Sequence, residues 1–414
     1  MTTNEMEQSS SLPHQILIDE ILIRLPVKSL CRFKSVSKFW SSVISSSQFT
    51  RAHLRYRKQF SSDSTLVFFE HHKNSWLLDY GAYDDDDAII NIKPFDFRDR
   101  NNESPGDLAS LGQNLNTHSN EVKAALLGSS CGLVSFIVDN GDSVFLCNPV
   151  LNLCRKISTP RPFRKWEVIL HGFGYVSSID DFKLVLGLRG RSKDLDPMMY
   201  VFSLRDNDWK MIQGGDQFQV ISKCNVDRGG ILVSECLHWW TTPVQHNDDD
   251  GRIFAFDLLH EVFEEVIPIP EKVGSMVRSL FCLRGSSGLC TLGGCLCFSF
   301  FRTYDNMEVW MLKQYGKTNS WLRVYNICIP SSHPFNFSKC FGLTKTGKFL
   351  IWCCDGAFDY YIFLADPKQS HPNVTLIGDF GSSDARIIDY IQSLVSPMSF
   401  ENRTSQERRG TGNM

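Results

Sequence analysis

Residues 12–58 read LPHQILIDEILIRLPVKSLCRFKSVSKFWSSVISSSQFTRAHLRYRK, and nothing after them keeps the same period. Pro13 suits the first turn of a helix, where its missing N–H costs nothing. Leu17, Ile18, Ile21, Leu22 and Leu25 recur at helical spacing, and Glu20 and Arg24 form an i,i+4 pair on the wet side. Pro26 ends that helix and opens a second, in which Leu30 and Phe33 lie three apart. A third stripe runs Phe33, Val36, Trp40, Val43, Ile44. The expectation is three short helices with tight breaks.

Such a packet calls for a partner. Ile16 and Ile23 widen the first apolar stripe beyond what three helices can cover. A packet of under ~50 residues without a disulfide or metal rarely buries enough surface to stand alone. Nine Lys and Arg against Asp19 and Glu20 leave residues 12–58 at +7, and the remainder of this −3 chain at −10. The residues alone allow two occupants, an acidic helical partner or the C-terminal part of the same chain, in which case Trp40 is plain core.

Leu12-Pro13, Ile21-Leu22, the run Leu25 to Leu30, Arg32-Phe33-Lys34, Val36-Ser37-Lys38 and Trp40 together resemble the F-box motif in its plant form, over about forty-five positions in order. Gln15 departs from that motif, which commonly has an acid there. The resemblance implies binding to the Skp adaptor of cullin-based (SCF) ubiquitin ligases, and through it to cullin and RING subunits. It carries an adaptor-binding role to Leu12, Pro13, Ile16, Leu17, Ile21, Leu22, Leu25, Pro26, Leu30, Val36 and Trp40. It also favours the external partner over the internal one.

From residue 66 onward the pattern is short aromatic and β-branched runs broken by Gly, Asp, Asn and Pro, the mark of an all-β domain. A strand, a polar turn and a second strand return at 143–160, 198–213, 252–270, 309–327 and 361–378. With Asn148, Leu204, Asp257, Lys313 and Asp366 as register marks, the gaps are 56, 53, 56 and 53 residues. Spacing near 50 signals a propeller-like array of small sheets that must stack on neighbours to cover their faces. Gly-marked strands precede four of these hairpins, at 130–137, 229–240, 293–301 and 346–354, and residues 65–80 look like a sixth hairpin. A β-sandwich with coincidental spacing is the alternative. Phrases such as FLCNPVLNLCRKI (145–157) and FAFDLLHEVFEEVIPIP (254–270) resemble the F-box-associated domain of plant F-box proteins, a kelch-like propeller that is taken to bind substrate. Several are also similar to S-locus F-box proteins, which recognise ribonucleases in self-incompatibility.

The expected fold is therefore a small all-α N-terminal F-box followed by an all-β, β-propeller-like domain. Its expected divisions are a tail at 1–11, the F-box at 12–58, a linker at 59–65, the β domain at 66–396 and a tail at 397–414. Of 414 residues, 42% are apolar and 21% charged, which excludes wholesale disorder. A net charge of −3 argues against nucleic acid or anionic membrane as the main partner. No apolar run approaches the ~20 residues that span a bilayer. The polar start lacks a signal core, so the expected address is the cytoplasm or nucleus, where the cysteines should stay unpaired.

Residues arranged for catalysis do not emerge. Gly172-Phe-Gly174 opens like a phosphate-binding loop, but Ser177 breaks the pattern and a turn is the better reading. Cys290, Cys295 and Cys297 read as one strand face rather than metal ligands. The runs Asp84–Asp87 and Asp248–Asp250 lack calcium-loop spacing. His71, His72, His238 and His260 read as satisfied strand or turn histidines. The expected role is a non-catalytic substrate adaptor with no cofactor and no metal, and an F-box scaffold without degradative output is the further alternative. The substrate-binding residues stay unassigned; polar connections at 81–88, 189–197, 243–251 and 302–306 are nominated for them.

Overall fold

The computed structural model describes residues 14–60, 65–69, 75–79, 92–95, 124–138, 143–160, 166–192, 195–213, 215–242, 251–270, 273–274, 287–303, 306–328, 335–343, 347–355, 359–367, 374–379 and 386–399. The first helical stretch is α-helical over His14–Ile16 (α1), then π over Leu17–Ile21 and 3-10 over Leu22–Arg24, ending where Leu25 turns extended. Arg24 pairs with Glu20 as the spacing predicts. Pro26 caps α2 (Val27–Phe33). A break at 34–37 follows, so the predicted third stripe is divided: Phe33 and Val36 precede α3 (Lys38–Ser45). The Ser37 hydroxyl oxygen accepts from the Trp40 amide and caps that helix. A fourth helix, α4 (Ser47–Phe60), is longer than the other three and runs past the expected F-box boundary.

Six sheets follow, and each is antiparallel. Sheet 1 joins the two ends of the β domain: its order is β25 (Arg386–Tyr390), β1 (Thr65–Phe69), β2 (Ser75–Asp79), β3 (Ile92–Phe95). Sheet 2 holds β4 (Ala124–Ser130), β5 (Leu133–Val138), β6 (Ser143–Asn148) and β7 (Leu153–Ser158). Sheet 3 holds β8 (Trp166–Val176), β9 (Asp181–Gly190), β10 (Met198–Ser203) and β11 (Asp208–Ile212). After the short helix α5 (Gly215–Ile221), sheet 4 is built on β14 (Cys236–Thr242), flanked by β12 (Asn225–Val226) and β13 (Ile231–Val233), then β15 (Arg252–Asp257) and β16 (Val262–Phe263). Sheet 5 holds β17 (Ser287–Leu292), β18 (Cys295–Thr303), β19 (Asn306–Leu312) and β20 (Trp321–Cys328). Sheet 6 holds β21 (Phe335–Leu343), β22 (Phe349–Asp355), β23 (Tyr360–Ala365) and β24 (Val374–Asp379). The propeller reading holds and the sandwich alternative falls.

All five predicted hairpins are the outer two strands of sheets 2 to 6, and each register mark stands at or just past the end of a third strand. The turns repeat in chemistry as well. Asn148 Oδ1 accepts from the amides of Val150 and Leu151, and Asp257 Oδ1 from those of Leu259 and His260. Asn152, Asn207 and Glu261 each take a positive φ in the last position before the outermost strand.

Apolar clusters fill successive gaps between sheets. Tyr390 packs with Phe136 and Phe145 between sheets 1 and 2. Leu146 meets Leu184 and Phe202 between sheets 2 and 3, and Leu170 meets Trp239 and Phe256 between sheets 3 and 4. Ile253 packs with Phe298, and Met307 with Ile351, across the next two gaps. Each wholly buried ring contributes roughly 1.5–3 kcal/mol against its exposed state. Gly172 and Gly174 belong to these contacts. Both lie within β8, in neither a turn nor a phosphate loop, and a Cβ on Gly172 would sit 2.6 Å from Leu237 of sheet 4. A larger residue there would have to push the Leu237 side chain aside. One expectation about the thiols also fails: Cys147 and Cys154, directly opposite across β6 and β7, are joined in a disulfide.

Candidate functional site

The helices have an inward and an outward side. Leu22, Val27, Leu30, Ile44 and Phe49 form one buried cluster, completed from the β domain by Leu394, with Val150 and Leu151 half-buried against it. Helix α4 reaches further, placing Leu54 in the core between sheets 2 and 3. His53 beside it is wholly buried, its Nε2 2.9 Å from the Leu25 carbonyl oxygen, and burial holds its pKa below the usual range.

This sorts the residues expected to bind an adaptor. Ile16, Ile21, Pro26 and Val36 are exposed, Val36 at 65%. Leu17, Leu25 and Trp40 are half-buried, and the Trp40 ring meets that of Phe39 edge-on at 5.2 Å. Leu22 and Leu30 lie inside the cluster, Leu30 with no exposure at all, so in this arrangement they brace the helices from within. The periodicity of 12–58 cannot separate these groups, because stripes facing inward and outward have the same period. Leu12 and Pro13 lie outside the described residues. Phe33 and Phe39, exposed beside the break between α2 and α3, were not among the expected contacts. The helices expose the apolar side chains of Ile16, Ile21, Phe33, Val36 and Phe39, and also the cations Lys28, Arg32 and Lys38. Exposed apolar anchors together with positive charge suit an acidic helical partner.

Topology fixes where the rest of the molecule lies relative to the helices. The helices meet the β domain at the β6–β7 turn through Val150 and Leu151, and at the β8–β9 turn through the ion pair of Arg51 with Asp180. In an antiparallel sheet these turns share one edge, and the connections from second to third strand emerge at the other. Three of the four nominated connections, 189–197, 243–251 and 302–306, join second to third strands and so leave from the end opposite the helices. Residues 243–250, 193–194 and 304–305 within them lie outside the described residues. The fourth, 81–88, joins the outer strands of sheet 1, and it also lies outside, as do Asp84–Asp87 and the His71–His72 pair. At that opposite end Glu167 accepts from Arg189 at 2.9 Å and from Arg228 at 2.7 Å. Chiefly through its bond with Arg189, its carboxyl is held below the usual range.

Along the axis runs a cavity of about 260 Å³ to which each sheet contributes, as with Leu127, His171, Ile231, Cys290, Cys340 and Ile388. Its polar groups are engaged in structure: His171 Nδ1 lies 2.7 Å from the Leu127 carbonyl oxygen, and the His171 carbonyl accepts from Gly230. Cys290 and Cys297 face each other on β17 and β18 in an apolar cluster, with Cys295 half-buried. Among the described residues, no three His, Cys, Asp or Glu are grouped to hold a metal. His238 bridges sheets 4 and 5: Nδ1–H donates to the Ile231 carbonyl oxygen, and Nε2 accepts from the Tyr315 hydroxyl at 2.7 Å. His260 pairs with Asp257 in its turn.

Sequence comparison agrees with this division. Residues 10–52 match the F-box domain, and residues 90–397 match the F-box associated beta propeller domain. F-box/kelch-repeat protein At3g23880 of Arabidopsis thaliana is 28% identical over 412 residues, 96% of this chain and 98% of that protein. Putative F-box protein At5g15660 of the same plant is 24% identical over 377 residues, 89% of this chain and 77% of that protein. F-box protein CPR1, also from Arabidopsis thaliana, is 24% identical over 334 residues, 76% and 73% of the two chains. With helices at one end of a six-sheet propeller and both matches together reaching from residue 10 to residue 397, the chain belongs to the family of F-box proteins that carry the F-box associated beta propeller domain.

Proposed function

We propose that this chain is the substrate-recognition subunit of an SCF-type ubiquitin ligase. Its F-box binds a Skp-type adaptor, and through it cullin and RING subunits, while the propeller holds a protein substrate for ubiquitination. The observation that carries the reading is the polarity of the molecule: the N-terminal helices pack at one end of the propeller and expose Ile16, Ile21, Phe33, Val36 and Phe39, and among the described residues none of these helices reaches the other end. The chain itself supplies proximity rather than bond chemistry. Holding a substrate beside a charged ubiquitin-conjugating enzyme raises its effective concentration, by the same logic that makes a tethered encounter effectively intramolecular.

Adaptor contact rests on the exposed members of the predicted set, Ile16, Ile21, Pro26 and Val36, with Leu17, Leu25 and Trp40 at its border and Phe33 and Phe39 added. A few such apolar anchors carry most of an interface's energy, and the surrounding cations mainly raise the association rate. Substrate contact falls to the connections at the end opposite the helices. Reconstitution tests the reading: mixed with a Skp-type adaptor, cullin and RING subunits, the full chain should co-elute as one complex. Separate elution of a folded chain would contradict it. Co-elution without ubiquitin transfer to any bound protein would favour the non-degradative scaffold instead.

A further inference from the structure

Segment 391–399, which follows the ring-closing strand β25, touches both parts of the molecule. Leu394 is buried in the helical cluster with Leu22, Val27, Leu30, Ile44 and Phe49, while the next residue, Val395, is buried in the core between sheets 2 and 3, where Leu54 of α4 also packs. The segment is held by a dedicated set of hydrogen bonds. Asn148, wholly buried at the end of β6, donates through Nδ2 to the Ser393 carbonyl at 3.0 Å and the Val395 carbonyl at 2.7 Å. Its Oδ1 accepts from the amides of Val150 and Leu151, the two turn residues that also pack on the helices. Arg155 donates to the Pro397 carbonyl, and the Ser393 hydroxyl to the Cys131 carbonyl. Among the described residues, one amide side chain therefore bonds the backbone at or beside each β-domain member of the helical cluster, Val150, Leu151 and Leu394. Those helices are short, and three α- and 3-10-type pieces of three to eight residues do not persist in water without tertiary support.

We propose that segment 391–399, seated by Asn148, is the positioning element that gives the F-box its binding shape, so that closure of the propeller ring licenses adaptor binding. The adaptor part rests on the ligase reading above; the support of the helices does not. Before β25 is paired, the segment that completes the helical cluster is not yet in place, and an unfinished propeller presents a loose F-box. Partly folded chains are thereby kept out of the ligase, where they would occupy adaptor without a formed substrate end.

Hydrogen exchange on the full-length chain and adaptor affinity, measured on the same preparations, test this. Leu394→Ala and Asn148→Asp should raise amide exchange across 17–45 at least tenfold, leave β9 and β10 (181–203) protected, and weaken adaptor binding at least tenfold. Leu394→Met should restore both. Asn148→Asp keeps the acceptor oxygen but turns a carboxylate oxygen toward the Ser393 and Val395 carbonyls at a buried position, and Leu394→Ala tests the segment without that buried charge. Unchanged exchange over 17–45 in Leu394→Ala would overturn the proposal. So would equal loss of protection in 17–45 and 181–203, since the segment would then be ordinary core. If the unmodified chain fails to bind adaptor, the ligase reading falls, and the exchange arm alone decides whether the segment holds the helices.

Discussion

Arg51 of α4 and Asp180 in the β8–β9 turn form an ion pair across the boundary between helices and propeller. The second carboxylate oxygen of Asp180 accepts from the Tyr175 hydroxyl at 2.8 Å, which fixes the acid in place, and burial pushes the Tyr175 phenol further up. The pair is a polar tie between helices and propeller beside the apolar contacts of Leu394 and Leu54.

Removing this pair should loosen the joint slightly without unfolding either side. Asp180 has φ +52°, a conformation Asn accepts, so Asp180→Asn deletes the charge and keeps the turn. Both partners are part-exposed, and a double-mutant cycle with Arg51→Ala should return a coupling of about 0.5–1 kcal/mol. Chemical denaturation of the four variants measures it; a coupling of zero would leave the joint to apolar contacts alone.

Gly132→Ala should be far more damaging. Gly132 has φ +85°, and a Cβ there would overlap the Ser393 hydroxyl and lie 2.9 Å from the Ser393 amide nitrogen. Backbone strain and a displaced segment add up to about 2–4 kcal/mol of lost stability. Thermal melting checks this, and the loss should be accompanied by faster exchange over 386–399.

Acidification should weaken the fold through its buried histidines. Burial lowers the His238 pKa from 6.5 to about 4, and burial likewise lowers that of His53. The unfolded chain therefore takes up protons near pH 6.5 that the folded chain refuses. Stability from His238 is complete above that value and is lost as pH falls toward 4, by up to about 3 kcal/mol. Urea denaturation at pH 7 and pH 5 should show the loss in the unmodified chain. His238→Gln, which cannot titrate, should show a smaller one.

Much of this architecture is legible in the sequence because outer hairpins carry their own signals. The 53- and 56-residue gaps mark equivalent turns, and Asn148 and Asp257 cap those turns with the same side-chain geometry. The innermost strands carry no such local signal. In β8 the glycines at 172 and 174 imitate a nucleotide loop, since their purpose, room for Leu237 and Leu258 of the next sheet, is set by residues some sixty to eighty positions away. Strand β25 is equally silent, because its partner β1 lies more than three hundred residues earlier. On the helices, spacing identifies the apolar residues but not their direction. Leu30 and Val36 belong to similar patterns, yet Leu30 is enclosed by its helical neighbours and Leu394 while Val36 is left outside. Asn148 served as a register mark, yet its hold on Ser393 and Val395 spans 245 and 247 residues and leaves no local trace.

The most direct test is the affinity of the purified full-length chain for a Skp-type adaptor, compared with an Ile21→Asp/Val36→Asp variant. Both residues are exposed, so the variant should keep the unmodified melting profile. The unmodified chain should bind, and the variant should lose at least about tenfold in affinity, some 1.4 kcal/mol or more. Equal binding by both would remove Ile21 and Val36 from the adaptor interface, and no binding by a folded unmodified chain would contradict the ligase role.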